Sequence, residues 1–363
     1  MIHLGDITKI SGYEVPIVDC VICGSPCQDL SVAGKRAGLE GERSGLFMEQ
    51  IRIVKEMRER DARRGVPREF IRPRYMVWEN VPGAFSSNKG EDFRIVLEEI
   101  VKIVEPEANV PMPEKNKWPY SGILLGDGWS VAWRVLDAQF WGTSDKPLPQ
   151  RRRRVALVAD FGGLSAPEIL FVRKTVSGNY KPCEPKRTVT SFRSGENTEV
   201  SGQSVETIWI LDRESFNCGI SFCRNLAISS DGIAPTLKAV GPSAVCCNGV
   251  IRRHTPLEEE RLNGFPDGWT GIGDWVDSTS KKRKTSDALR YKALGNSIAL
   301  PPWKWVLKRL CACYERDATM ASLFDGIGGF PLIWEQLNGK GSCLWASEIE
   351  EFPMAVTKLR FGE

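Results

Sequence analysis

The sequence predicts an α/β protein: a Rossmann-like parallel sheet with helices on both faces, together with a small, mostly β domain. A short apolar run that ends at Cys23 is followed by Gly24 and Pro26, which is typical of a buried strand and the loop after it. Near the carboxyl end, a strand at 320–324 passes through a glycine-rich turn into a helix, as in nucleotide-binding sheets. Between about 165 and 250 the helical periodicity disappears and Gly, Ser, Thr, Asn and Pro become frequent, which indicates short strands and loops.

Apolar periodicity and capping residues predict the other elements. The strands and helices predicted in this way are strands at 75–78 and 155–159 and helices at 93–104 and 303–310. A further helix should begin after Thr255, because Pro256 occupies its first position and Glu258 lies three residues beyond the cap, the spacing of a capping box.

The composition excludes several classes of protein. The 363 residues are 42% hydrophobic and 26% charged with a net charge of +3, as in a soluble globular protein. No apolar run is long enough to cross a bilayer and the first residues show no secretory signal, so we expect no membrane partner and a cytoplasmic location. Eleven cysteines without framework spacing predict free thiols. We expect no metal, because Cys20 and Cys23 have no second pair to complete a zinc site.

Two basic runs stand out against the low net charge. Four arginines at 151–154 directly precede the strand at 155–159, so they lie at the mouth of a buried strand and cannot all be surface decoration. The second run, at 281–284, is either a solvated surface stretch or a phosphate-binding one, and the sequence leaves both interpretations open.

The glycine-rich turn at 325–329 predicts a nucleotide-type cofactor. Glycines allow a close backbone approach and a positive φ, and Glu348 follows about twenty residues later, where an acid can accept hydrogen bonds from ribose hydroxyls. The turn lacks a further glycine for a pyrophosphate. A non-phosphorylated nucleoside such as S-adenosylmethionine therefore fits this turn better than NAD.

Six separated segments resemble the DNA cytosine-C5 methyltransferase family, and they cover most of the chain outside the small domain. They are LFDGIGGF at 323–330 with Glu348; Gly5-Asp6-Ile7; Pro26-Cys27-Gln28; Glu79-Asn80-Val81; Gln150 with the arginines at 151–154; and 255–267 with Gly295-Asn296-Ser297. In most members the glycine turn comes first and the Gly-Asn-Ser segment last, whereas here the glycine turn follows it. The chain therefore resembles a circularly permuted member of bacterial or phage type.

The resemblance implies four catalytic residues. Cys27 would be the nucleophile that adds to C6 of cytosine, and Glu79 would share or donate a proton at N3. Arg154 or Arg152 would lower the pKa of the Cys27 thiol, and Arg154 would hydrogen-bond cytosine O2.

The resemblance also implies the cofactor and DNA contacts. Phe324 would pack on the adenine, the turn would hold the methionine end, Glu348 would bind the ribose and Asp6 with Ile7 would contact the adenine edge. The residues assigned to S-adenosylmethionine are Phe324, Asp325, Gly326, Ile327, Gly328, Gly329, Glu348, Asp6, Ile7, Pro26, Asn296 and Ser297. Those assigned to DNA are Gln28, Ser31, Lys35, Arg36 and Arg43 in a glycine-rich loop that would close over DNA, and Thr236 in the small domain.

Together these features predict a monomeric DNA (cytosine-5-)-methyltransferase that acts on a specific short site in duplex DNA. Residues 1–169 and 276–363 would form a discontinuous catalytic domain and 170–275 a target-recognition domain. The target cytosine would be flipped out of the duplex, and a cognate restriction endonuclease would not be physically required. Three alternatives stay open: a tRNA cytosine-C5 methyltransferase, a catalytically inactive DNA-binding relic, and a Rossmann oxidoreductase that binds NAD.

Overall fold

The computed structural model describes most of the chain in two units. The described residues are 1–25, 45–142, 148–172, 209–211, 228–229, 233–239, 243–247 and 250–362. By contacts, unit 1 comprises Met1–Leu136, Arg153–Val176 and Trp303–Glu363, and unit 2 comprises Asp137–Arg152 and Ser177–Pro302. The predicted boundaries of the recognition domain, 170–275, stay a prediction beside this division.

Strands and helices alternate through much of the described chain. The strands are β1 (Ile2–His3), β2 (Cys20–Cys23), β3 (Tyr75–Asn80), β4 (Ser121–Gly126), β5 (Trp129–Asp137), β6 (Arg153–Asp160), β7 (Trp209–Leu211), β8 (Ile228–Ser229), β9 (Ala244–Cys247), β10 (Val250–Arg253), β11 (Asp274–Val276), β12 (Lys282–Lys284), β13 (Met320–Leu323) and β14 (Cys343–Ser347). The α-helices are α1 (Gly45–Arg63), α2 (Glu91–Val101), α3 (Ala166–Leu170), α4 (Pro256–Asn263), α5 (Asp287–Asn296), α6 (Leu300–Cys311), α7 (Gly329–Asn338) and α8 (Glu351–Phe361).

The sheet of unit 1 has the order β1-β14-β13-β2-β3-β6-β5-β4. From β1 to β3 all neighbours are parallel, and β6 then pairs antiparallel with β3. The last two strands in the chain, β13 and β14, thus lie inside the sheet between the first two. Helices on both sides of this sheet make a Rossmann-like fold, which confirms the predicted class. The sheet is mixed and not purely parallel as predicted, because β6 pairs antiparallel with β3 and β4 with β5.

Both faces of the central strands are buried. On β2 and β3, Val21 and Trp78 belong to the main apolar core, which also contains Phe47 of α1 and Phe93 of α2. Ile22, which follows Val21 on β2 and therefore faces the opposite side of the sheet, is also fully buried. Near-continuous apolar runs are what strands covered on both faces require, which explains why these strands were readable in the sequence.

A buried ion pair lies at the opposite end of β6 from the arginine run. Asp160 accepts hydrogen bonds from Arg74 Nε and Nη2 at 2.9 and 3.0 Å, and its side chain is fully inaccessible. Burial alone would raise the pKa of Asp160, but hydrogen bonds from Arg74 and Ser165 hold that pKa below its ordinary value. The carboxylate is therefore ionised at neutral pH and stabilises the fold.

We expect Asp160→Asn to lower the free energy of unfolding by about 3–5 kcal/mol at pH 7, because the change leaves Arg74 without its charged partner. Since the folded pKa is depressed, the contribution of Asp160 is present above the unfolded pKa of about 3.9 and is lost as the pH falls through the folded value. Urea denaturation at pH 7 and pH 3 measures both effects. The matched control is Asp127→Asn, whose carboxylate is fully exposed; equal losses in the two variants at pH 7 would contradict the role of burial.

Unit 2 contains an antiparallel sheet with the order β10-β9-β7-β8 and a separate hairpin, β11–β12. At the start of α4, Thr255 accepts from the backbone N–H of Glu258, and the Glu258 carboxylate accepts from the backbone N–H of Thr255. The predicted capping box is confirmed. No helix in the described ranges is both long and apolar enough to span a bilayer.

Candidate active site

Polar residues follow the carboxyl ends of five neighbouring strands in unit 1. Asp6 comes shortly after β1, Glu348 after β14, Asp325 after β13 and Ser25 after β2, and Glu79 is the penultimate residue of β3. Because these strands are parallel, all five residues lie along one edge of the sheet. Four of them, Asp6, Glu79, Asp325 and Glu348, are predicted catalytic or cofactor-binding residues, and the fold brings them to a common edge.

Glu79 and Arg154 form an ion pair at this edge. Arg154 Nε lies 2.8 Å from Glu79 Oε1, and the two side chains are only 14% and 15% exposed. Since β6 is antiparallel to β3, with Asn80 opposite Val155, the beginning of β6 reaches the carboxyl end of β3. The sheet thus places a carboxylate beside a guanidinium, an array that can meet both acceptor and donor atoms of a planar heterocycle.

The segment before the predicted nucleophile is anchored beside Glu79. A Cβ on Gly24 would lie 3.5 Å from Glu79 Oε2, and the Gly24 N–H donates to the carbonyl of Leu323 at 3.2 Å. Trp78 Nε1 donates to Ser25 Oγ at 3.0 Å. Both Ser25 and Trp78 are buried, so the chain leaves β2 in a fixed direction.

Several predicted site residues lie outside the described residues. They are Pro26, Cys27, Gln28, Ser31, Lys35, Arg36 and Arg43. Cys27 comes two positions after the anchored Ser25, and its role stays a prediction.

Asn80 contributes a polar group that the sequence analysis did not assign. Its Oδ1 accepts from the Val81 N–H at 2.8 Å, while its buried Nδ2 has no hydrogen-bond partner among the described residues. A buried amide donor left in this way is costly unless a further group meets it, so Asn80 could donate to a group bound at this edge. Its place next to Glu79 at a strand end was the available signal.

The turn after β13 adopts the backbone that its glycines permit. Phe324 has φ +57°, an unusual left-handed value for a bulky residue, and Gly326 and Gly328 have φ +58° and +77°. A Cβ on Gly328 would lie 2.6 Å from the Phe361 ring. Strain at a bulky residue beside a glycine turn often accompanies a binding site, so this backbone is consistent with the predicted cofactor contacts.

Asp325 is a buried carboxylate without a hydrogen-bond partner in the described part of the chain. Burial raises the pKa of Asp325 to about 8; the nearby Ser322 hydroxyl acts against this shift and the Glu348 carboxylate acts with it. Asp325 is among the residues predicted to bind the cofactor, as part of the turn and without a separate role for its side chain. Its position between a buried strand and a glycine turn was the available signal that the carboxylate is buried.

Glu348 is held by backbone donors. Its Oε2 accepts from the Gly326 N–H at 2.7 Å, and its Oε1 accepts from the N–H groups of Ile349 and Glu350 at 2.8 and 2.9 Å. The carboxylate therefore joins the glycine turn to the end of β14. Oε1 thus uses both of its lone pairs, whereas Oε2 keeps one for a further donor, such as a sugar hydroxyl.

Asp6 and Ile7 lie next to Glu348 in the strand order. Asp6 caps a short helical turn by accepting from the backbone N–H and the hydroxyl of Thr8, and these bonds lower its pKa. Ile7 is 2% exposed and belongs to the main core. An adenine contact by Ile7 would therefore involve its backbone.

The predicted residues of unit 2 have their own surroundings. Arg152 is 1% exposed, and its guanidinium donates to the carbonyls of Leu237 at 3.3 Å, of Gly295 at 3.0 Å and of Ser297. Thr236 donates to the carbonyl of Arg151 at 2.5 Å, whereas Asn296 is exposed at the end of α5. Of the two arginines proposed to act near Cys27, Arg154 pairs with Glu79, and the carbonyl contacts of Arg152 suit a clamp within unit 2.

Comparison with known proteins agrees with these motifs. Residues 1–103 match a family model described as C-5 cytosine-specific DNA methylase. The Type II methyltransferase M.BsuFI of Bacillus subtilis is 30% identical over 83% of this chain and 60% of its own length. M1.ScrFI of Lactococcus lactis subsp. cremoris is 25% identical over 86% of this chain and 67% of its own length.

A relative from Escherichia phage P1 is named DNA N-6-adenine-methyltransferase and is 25% identical over 87% of this chain and 56% of its own length. The chain thus spans less than two thirds of the phage P1 and M.BsuFI proteins that it matches. The matched family model covers the segments that contain Asp6, Cys27 and Glu79, and the resemblance seen in the sequence is confirmed. Over residues 1–103 the chain is thus similar to the C-5 cytosine-specific DNA methylase family.

Proposed function

We propose that this protein transfers a methyl group from S-adenosylmethionine to C5 of a cytosine in a specific short site of duplex DNA. The observation that carries the proposal is the position of the Glu79–Arg154 pair on the same sheet edge as the glycine turn, Asp325 and Glu348. The anchored segment Gly24-Ser25, which leads to Cys27, leaves the sheet between them. Base-directed and cofactor-directed groups thus belong to neighbouring strands of one unit.

Cytosine C5 is too weak a nucleophile to react unaided, and in the proposed mechanism Cys27, Glu79 and Arg154 activate it. The Cys27 thiolate forms a bond to C6, and the electron pair of the C5–C6 double bond becomes available at C5. Negative charge then develops through N3 and O2. Glu79 shares or donates a proton at N3, and Arg154 donates a hydrogen bond to O2. Once C5 carries the new group, the C5 proton leaves to a base such as water and the Cys27–C6 bond breaks, which restores the thiolate.

The glycine turn fits S-adenosylmethionine, which supplies an electrophilic methyl group when bound. Asp325 offers two carboxylate oxygens without hydrogen-bond partners in the described ranges, and Glu348 has spare acceptor capacity for ribose. Phe324 is half-buried at the strand end, where an aromatic ring can pack on an adenine. The Asp325 carboxylate lacks a positively charged partner, and the Glu348 carboxylate can accept a further hydrogen bond. A cationic nucleoside would supply both the positive charge and the hydrogen-bond donors.

We expect Asp325→Asn to stabilise the ligand-free protein and to weaken S-adenosylmethionine binding about tenfold. Because the folded pKa of about 8 lies above the unfolded value, Asp325 favours folding below about pH 4 and this contribution is lost as the pH rises towards 8. A permanently cationic ligand should stabilise the ionised carboxyl, so binding to the wild type at pH 7 should release a proton.

Calorimetric titration in buffers of different ionisation enthalpy measures the affinity and the proton release, and thermal denaturation at pH 5 and pH 9 measures the stability difference. The exposed Asp317 provides the control variant Asp317→Asn. Proton release that persists in Asp325→Asn would assign the titrating group to another residue.

We also propose that the DNA contacts follow the family arrangement. A cytosine stacked inside a duplex cannot reach the sheet edge, so the base must be flipped out. The glycine-rich loop with Gln28, Ser31, Lys35, Arg36 and Arg43 would close over the DNA, and the small domain with Thr236 would read the sequence from the major groove. Clamping of the Thr236-Leu237 segment by Arg152 supports a positioning role for Arg152 in unit 2.

The order of the motifs supports a circular permutation, which we propose as well. The strands that carry the glycine turn and Glu348 come late in the chain, yet β13 pairs with β2 and β14 pairs with β1, both near its beginning. If the same strands were counted from β13, the glycine turn would come first in the chain, as in the usual motif order of the family. The sheet itself would be unchanged.

Methyl transfer to adenine N6 is the second candidate, because the relative from Escherichia phage P1 is named for it. An exocyclic amine attacks through its own lone pair and needs no thiol addition, so that reaction would leave Cys27 and the Glu79–Arg154 pair without a role. Labelled S-adenosylmethionine with unmethylated duplex DNA, followed by nucleoside analysis, separates the two. We expect label in 5-methyl-2′-deoxycytidine; label in N6-methyl-2′-deoxyadenosine would overturn the proposal.

The same assay distinguishes the remaining alternatives. Label in tRNA and not in DNA would favour the RNA methyltransferase. DNA binding with no transfer to either substrate would favour an inactive relic, and binding of NAD without binding of S-adenosylmethionine would favour an oxidoreductase.

A further inference from the structure

The basic run at 281–284 lies on an exposed hairpin of unit 2. Strand β11 (Asp274–Val276) pairs antiparallel with β12 (Lys282–Lys284), with Val276 opposite Lys282 and Asp274 opposite Lys284. Lys281, Lys282 and Lys284 are all exposed. Side chains of one strand alternate between faces, so Lys282 and Lys284 share a face about 7 Å apart.

The tip of the hairpin is organised by Asp277. Its Oδ1 accepts from the backbone N–H groups of Thr279 and Lys281 at 3.0 and 2.9 Å, and its Oδ2 accepts from Arg283 Nε at 2.8 Å. At the base, the N–H and hydroxyl of Thr285 donate to the carbonyl of Gly273. The hairpin is therefore held in shape at both ends, and its lysines project from a fixed backbone.

Asp277 forms an ion pair with Arg283 but not with the lysines of the hairpin. The backbone N–H of Lys281, the Thr279 hydroxyl and the Arg283 guanidinium lower the pKa of Asp277, so it is ionised at neutral pH and is the ion-pair partner of Arg283. No carboxylate of the described ranges lies within ion-pair distance of Lys281, Lys282 or Lys284.

Asp274, opposite Lys284, is the one acid left on the strands. Three unpaired lysines against one carboxylate leave a concentrated positive charge on an exposed hairpin, which also carries the exposed Val276. A lysine without an ion-pair partner on a preformed strand needs little reorganisation to contact a phosphate. Two such lysines about 7 Å apart on one face can contact a phosphate backbone together.

We propose that the β11–β12 hairpin binds the phosphate backbone of the duplex DNA substrate, outside the base-reading contacts. The inference rests on the proposed function, because duplex DNA is the substrate in that function. Such contacts fix the position of the protein on the duplex without adding sequence information, so the hairpin would raise affinity and leave the recognised site unchanged.

The test compares the salt dependence of duplex DNA binding in the full-length protein. We expect Lys282→Gln/Lys284→Gln to weaken binding about tenfold at low salt and to reduce the slope of log K against log salt by about 1.8, since each lost phosphate contact removes about 0.9. Lys282→Arg/Lys284→Arg should keep the wild-type slope. The control is Lys115→Gln/Lys117→Gln, which removes two exposed lysines of the same spacing from unit 1 and should leave the slope unchanged.

The outcomes separate this inference from the proposed function. A wild-type slope in Lys282→Gln/Lys284→Gln, in a protein that still methylates cytosine, would overturn the hairpin alone. The same loss of slope in the control would also overturn it, because a general charge effect would then explain the change. A reduced slope in Lys282→Gln/Lys284→Gln, together with a wild type that binds DNA but fails to methylate it, would support the hairpin and remove the proposed function. A change in the methylated sequence would overturn the purely positional role.

Discussion

Cys27→Ala should lose methyl transfer to DNA by about 10⁴-fold or more, while S-adenosylmethionine and duplex DNA still bind. Without the thiolate no bond forms at C6, and C5 stays too electron-poor to accept the methyl group at a useful rate. Glu79 and Arg154 lie on β3 and β6, and Asp325 and Glu348 directly follow β13 and β14, so the sheet positions these residues independently of the thiol. The loss should therefore appear in kcat, with little change in either dissociation constant.

The measurement is single-turnover methyl transfer together with covalent trapping. A duplex with 5-fluorocytosine at the target site blocks departure of the C5 substituent, so the wild type should accumulate a protein–DNA adduct that Cys27→Ala cannot form. The control Cys313→Ala removes an exposed thiol of unit 1 and should behave as wild type. Cys23 is no rival nucleophile, because burial in β2 raises the pKa of its thiol far above neutral. An adduct in Cys27→Ala would assign the nucleophile elsewhere.

The elements that the sequence predicts well are those whose signals are local. The capping box of Thr255 and Glu258 and the strand–turn–helix unit from β13 to α7 need only neighbouring residues, and both are confirmed. The pairing order of the sheet is different. That β14 pairs with β1 depends on contacts between residues more than three hundred positions apart, and no periodicity within a strand contains that information.

Site residues show the same division. The motifs identify Glu79 and Arg154 separately, but their 2.8 Å contact follows from the antiparallel pairing of β3 with β6. Arg152 and Arg154, two positions apart, look equivalent in the sequence. Arg152 precedes the first residue of β6 and is buried against three carbonyls, whereas Arg154 is within the strand, so different backbone surroundings give them different partners. The isolation of the Asp325 carboxylate is also invisible without the fold.

The Glu79–Arg154 pair should carry the second large effect. Glu79→Gln keeps the size and a hydrogen bond but loses the charge and the transferable proton, so we expect kcat to fall about 10²- to 10⁴-fold. Arg154→Ala should produce a comparable fall, because it removes the donor to O2 and also the partner that holds the Glu79 carboxylate in place. Since the two groups act on one developing charge, the double variant should lose much less than the product of the single losses.

A matched control lies next to the pair. Arg153 is exposed and packs its guanidinium 4.8 Å from the centre of the Tyr120 ring, so Arg153→Ala removes the same charge from the same run without touching Glu79. We expect Arg153→Ala to keep kcat within about threefold of wild type. Rates of adduct formation with the 5-fluorocytosine duplex then distinguish catalysis from binding. If Glu79→Gln forms the adduct at the wild-type rate, Glu79 does not assist addition at C6; if it binds DNA normally but adds slowly, the ion pair stabilises the charge that develops on the base.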